Sequence, residues 1–239
     1  MKLRNAQKHL ATSLLLFGLL IGWSGEAFCA NCGATISGPC TIASAGGYTL
    51  SGNVSQGTAN TDALPFANSV NDVTVNLTGW TVTGGSGTGQ GINACAGATC
   101  GENTTVTNGH VKASGQYAID LDNNEDVEQV QTYQNGNNGI WPSNTGIVYQ
   151  TINYNNSGDG INTSSNNSIM QNVSASNTSN GITTGTGGLV ADNASSSNTS
   201  TGLSAGTDTG YGRNVLGGNT TCISGGKSMS DNVCSGTKQ

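Results

Sequence analysis

Basic residues are scarce in this sequence, with seven Lys and Arg against 13 Asp and Glu in 239 residues. Three of the seven, Lys2, Arg4 and Lys8, fall in a leader that the mature chain is expected to lose. What remains is four bases against 12 acids, a net charge of −8. Nucleic acid and anionic membrane surfaces both require clustered Lys or Arg, so neither is expected as a partner. Charge of either sign is sparse at 8%, aromatics make up 5%, and there are 3 Pro. With 37 Gly and abundant Asn, Ser and Thr, this composition would also suit a disordered linker. A disordered chain, however, would have no ordered apolar spacing. Once Cys29 is lost with the leader no Cys-x-x-Cys pair remains, which argues against a thiolate metal site. Beyond residue 30 no apolar run approaches the roughly 20 residues of a membrane-spanning helix.

The chain opens with a basic start, an apolar run from Leu10 to Trp23 and a small-residue stretch ending at Ala30. This is the layout of a secretory signal peptide over 1–30, cut between 27 and 30. Loss of Cys29 leaves six cysteines in three local pairs: Cys32 and Cys40, Cys95 and Cys100, Cys222 and Cys234. In an oxidising compartment these read as three short disulfide loops. The expected location is extracellular, periplasmic or on the cell surface.

Apolar spacing is strict. Ile119, Ile140, Ile161, Ile182 and Leu203 recur every 21 residues, and all but the first follow a Gly. Val106, Val127, Val148, Ile169, Val190 and Tyr211 form a second column, and Asn135, Asn156, Asn177, Asn198 and Asn219 a third. A looser fourth holds Ile152, Val173, Ala194 and Val215. Fixed columns of this kind mark a solenoid. The segments are short and β-branched with no helical spacing. The predicted fold is therefore all-β: a right-handed parallel β-helix, three strands and three turns per coil. Ile and Val are expected to fill the interior, the fourth column included. Asn should stack as a ladder and tolerate left-handed turns, and the Gly before each Ile should permit a bend or a positive φ.

Val73–Val82, Val106–Val111 and Gly210–Asn219 resemble the strands and closing coil of bacterial secreted right-handed parallel β-helix repeat proteins, of the pectate-lyase-like superfold. Asp231-Asn-Val-Cys234 is similar to their last cysteine segment. The resemblance covers nearly all of 31–239. It implies a cap and first coil at 31–67, an excursion at 84–102, regular coils over 103–223 and a C-terminal cap at 224–239. For function it implies little, because the fold hosts lyases, hydrolases, epimerases and adhesins. The Gly-His-Gly, Arg-Ile-Lys and Asp-Pro-His elements of the catalytic families are absent; Asn108-Gly-His110 is followed by Val111.

If the Ile column points inward, the next residues point outward by strand alternation. Asp120, Asp122 and Trp141 then share a patch on adjacent coils, joined by Asn162. An aromatic ring beside carboxylates can bind a sugar. Asp120 to Glu128 holds five acids, and Asp120, Asp122, Glu125 and Asp126 form a candidate calcium site. It is not an EF-hand loop: Glu125 stands where Gly is required and Gln131 where the final Glu should be. No resident cofactor is otherwise expected and no catalytic residue is assigned. The leading reading is a non-catalytic surface, adhesive or glycan-binding module with polysaccharide as partner. The alternative is a polysaccharide-active lyase, hydrolase or epimerase.

Overall fold

The computed structural model describes residues 30–235 and the backbone of 237–238. Residues 1–29 of the proposed leader lie outside the described residues. The chain winds as a right-handed parallel β-solenoid with no helix among the described residues. Each coil lays one short strand on each of three faces. Face A carries Ile147–Tyr149, Ser168–Met170 and Leu189–Ala191. Face B carries Ile152–Tyr154, Val173–Ala175, Ala194–Ser196 and Val215–Gly217, and face C carries Ile140–Trp141, Ile161–Thr163 and Ile182–Thr184. Pairing is parallel and in register at 21 residues, as in Ile140↔Ile161, Val148↔Ile169 and Asn153↔Ser174.

The Ile119–Leu203 column and the Val106–Val190 column are fully buried. The fourth column is not. Ile152, Val173 and Val215 are 38%, 39% and 54% exposed, because their neighbours Asn153, Ser174, Ser195 and Leu216 take the interior positions of face B. Those inner hydroxyls have work there: Ser174 Oγ donates to the Gly181 carbonyl at 2.7 Å and Ser195 Oγ to Gly202 at 2.8 Å. Strand alternation forces the neighbouring apolar residues outward.

Every regular coil turns at three corners, each built on one residue with φ between 52° and 77°. Gln150, Asn155 and Asn166 are one such set. The residue after each corner points inward. At the B–C corner this is the Asn135–Asn219 column, where each Nδ2 donates to the next Oδ1 at 2.8–3.0 Å. The ladder Asn are thus not themselves left-handed; that geometry belongs to the residue before them. A second ladder, Asn172–Asn193–Asn214–Asn232, runs up the A–B corner. A left-handed non-glycine residue costs about 1–2 kcal/mol, and the paired inner amide at the next position helps offset it.

The glycines before each Ile serve a different purpose from the expected bend. Gly139, Gly160, Gly181 and Gly202 do not have positive φ. A Cβ on Gly160 would overlap Ser174 Oγ and lie 2.7 Å from Asn177 Nδ2. The column is glycine because the wall of face C meets the ladder there.

Below residue 104 the coils lengthen. Leu64 pairs with Ile92 and Ile92 with Ile119, spacings of 28 and 27 residues. The 84–102 segment is therefore only partly an excursion: Ile92–Asn93 inside it is a rung of face C. Disulfides join Cys32–Cys40, Cys95–Cys100 and Cys222–Cys234.

Candidate ligand site on face C

Asn93, Asp120 and Trp141 are register partners on successive rungs of face C. Their neighbours Ile92, Ile119 and Ile140 are buried, so Asp120 and Trp141 project outward, both half-buried. Asn93 is 5% exposed, covered by its surroundings. Trp141 packs edge-to-face against Tyr117, with ring centroids 4.5 Å apart and planes at 73°. A cleft forms over this wall, lined by Asp120, Leu121, Asp122, Trp141, Ser143 and Ser164. Cys95 and Cys100, from the longer coil before it, close one side. A second cleft, over Asn31 to Cys40, offers no titratable or aromatic side chain.

Sequence spacing did not reveal the inner layer of the site. Asp62 lies two long coils before Asp120. Its Oδ1 accepts the Gln90 backbone N–H at 2.7 Å and its Oδ2 accepts Asn93 Nδ2 at 2.7 Å. The Gln90 side chain bonds Asp120, while its Oε1 is buried and unpartnered among the described residues. Burial raises the Asp120 carboxyl to about 6; the Gln90 hydrogen bond works against the shift, and the charges of Asp62 and Asp122 add to it. Burial, then the charge of Asp120, also raises the Tyr117 hydroxyl. Asp122 is raised by burial and by Glu102. Tyr117, three residues before Asp120, was the one member of this layer within reach of local sequence reasoning.

Asn162 stands one rung beyond Trp141 and donates Nδ2 to Asp159 Oδ2 at 3.1 Å. The proposed calcium ligands do not converge. Asp120 and Asp122 face the cleft, but Glu125 turns into the interior, fully buried, with Oε2 accepting the Thr104 backbone N–H at 2.9 Å. Asp126 accepts from the Ile147 backbone. Among the described residues no group of three or more His, Cys, Asp or Glu is arranged to hold a metal ion. No helix among them is long and apolar enough to cross a membrane.

No family model matches this sequence. No curated protein matches it either. Solved structures resemble it in fold. The A-module of the Azotobacter vinelandii mannuronan C-5 epimerase AlgE4 superposes with a TM-score of 0.57 at 16% identity, over 83% of this chain and 68% of that one. The periplasmic alginate epimerase AlgG gives a TM-score of 0.46 at 14% identity, over 82% of this chain and 57% of the other.

Proposed function

We propose that this β-helix is a secreted glycan-binding module whose site is the face C cleft. The observation that carries the reading is the joint placement of Trp141, braced by Tyr117, and the carboxyls of Asp120 and Asp122 on one open wall. A sugar ring can stack on an indole while its hydroxyls donate to carboxylates. The three disulfides support an extracellular or periplasmic setting, since such bonds persist in oxidising compartments. A glycan-array screen of the parent and Trp141→Ala tests the reading. Binding lost with Trp141 supports it; binding that survives places the site elsewhere.

A second reading, a polysaccharide-active enzyme, is favoured by Asp120. A carboxyl near 6, beside the second carboxylate of Asp62, is suited to general acid or base chemistry at neutral pH. The fold likeness to an epimerase module is compatible with it but is a likeness of fold. Assays for reducing ends, unsaturated products and C-5 inversion would separate the readings. In this second reading Asp120→Asn abolishes turnover while glycan binding persists.

A further inference from the structure

Face B, away from the cleft, carries a second outward array. One column runs His110, Gln131, Ile152, Val173, Ala194 and Val215; the other runs Lys112, Tyr133, Tyr154, Ala175, Ser196 and Gly217. In the second column the Tyr133 and Tyr154 rings are stacked, 5.1 Å apart and within 7° of parallel. Lys112 Nζ caps the stack 5.7 Å from the Tyr133 centroid. At the other end the ladder stops abruptly. The next rungs are Ala175, Ser196 and Gly217, so no ring among the described residues covers that side of Tyr154.

Charge on this face is one-sided. Neither column contains a carboxylate. Asp192, at the corner beside it, is bound by Arg213 at 2.6 Å. Lys227 is paired with Asp208. Lys112 has no ion-pair partner among the described residues, in a mature chain whose charge is otherwise strongly negative. The exposed apolar column beside it is one side chain wide. Four rungs at about 4.8 Å and two columns about 7 Å apart give at most a few hundred Å². A stable protein interface needs about 800 Å² from each partner. The face therefore suits a narrow linear ligand better than a second folded domain.

We propose that face B binds an acidic glycan lying along the solenoid axis, its sugar rings on the open side of Tyr154 and the Ile152–Val173 column and its anionic group at Lys112 and His110. The span from Lys112 to Ala175 is three rungs, about 14 Å, a length that a short run of sugar units covers. The anionic group is a carboxylate or a sulfate.

The test is calorimetric titration of the full mature chain with three probes: hexagalacturonate, a heparin hexasaccharide and neutral cellohexaose. At least one acidic probe is expected to bind, at least tenfold tighter than cellohexaose and more weakly as NaCl is raised. Tyr154→Ala and Lys112→Glu, each made in the Trp141→Ala background so that the face C cleft does not contribute, should weaken it tenfold or more. Lys112→Glu is a surface change that keeps the test valid if loss of the ring disturbs folding. The two acidic probes separate carboxylate from sulfate recognition. The proposal falls if neither acidic probe binds, if cellohexaose binds as well, or if Lys112→Glu has no effect. It also falls if sedimentation shows a dimer that Val173→Lys dissociates, since face B would then belong to a second copy.

Discussion

The Thr104 backbone N–H reaches across one coil to Glu125 Oε2 at 2.9 Å, while Oε1 of the same carboxyl is buried with no partner among the described residues. Glu125 occupies the inner corner position that Asn167 fills two coils later, with Gly146 between them. Burial holds the carboxyl protonated, raising it to about 9; hydrogen bonds from Thr104 oppose the shift and the charges of Asp122 and Asp126 add to it.

Its effect on stability follows from proton counting. Below about 4.5, the ordinary Glu value, the group is protonated in both folded and unfolded chains and pH has no leverage. Between there and about 9 only the unfolded chain releases the proton, so stability falls as pH rises. At pH 7 the loss is on the order of 3 kcal/mol. Asp120, raised to about 6, acts in the same direction over a narrower window. We expect denaturant midpoints to rise as pH falls from 8 to 5, and Glu125→Gln to remove most of that slope while stabilising the protein at pH 8. A parent whose midpoint rises with pH would contradict this.

Asn177 sits mid-ladder. Its Oδ1 accepts from the N–H and Nδ2 of Asn156, both at 3.0 Å, and its Nδ2 donates to Asn198 Oδ1 at 3.0 Å. Asn177→Ala leaves these groups unpaired and should cost about 3 kcal/mol. Thr178→Ala, on the exposed side of the same turn, should stay within about 0.5 kcal/mol. Equilibrium unfolding of the pair checks the contrast.

Glycine substitutions separate packing from backbone freedom. Gly160→Ala drives a methyl into Ser174 Oγ and Asn177 Nδ2, and about 2 kcal/mol or more should be lost. Gly217→Ala meets nothing within 4 Å, so its thermal midpoint should match the parent's.

Trp141→Ala removes a half-buried ring and its edge contact with Tyr117. The stability cost from that contact should be about 1 kcal/mol, small enough that the folded variant can be screened for glycan binding. A variant that unfolds would instead make the indole a structural anchor of the cleft wall.

The interior columns were legible because a residue and its successor 21 places on occupy the same site in the solenoid; Ile119 and Ile140 announce this without any structure. Ile152 and Val173 were misread for the opposite reason. Apolar, β-branched residues look internal, and only hydrogen bonding such as that of Ser174 to Gly181 reveals that polar residues take the inside of face B at these two coils. The outward placement of Asp120 and Trp141 followed from alternation. Asp62, Gln90 and Asn93 did not, because they sit in coils of irregular length, where counting by 21 fails.

Because each regular coil repeats its own hydrogen bonds 21 residues later, the molecule is divisible. Excising 177–197 would join Ser176 to Asn198, bring Asn156 against Asn198 and set Ile161 beside Leu203, with the face C cleft unchanged. The far end would move by about 4.8 Å without rotating any face. Length and binding chemistry are thus separate variables in this chain: whole coils can be gained or lost as a spacer, while a one-residue insertion within a strand would turn the side chains after it away from the surface they serve.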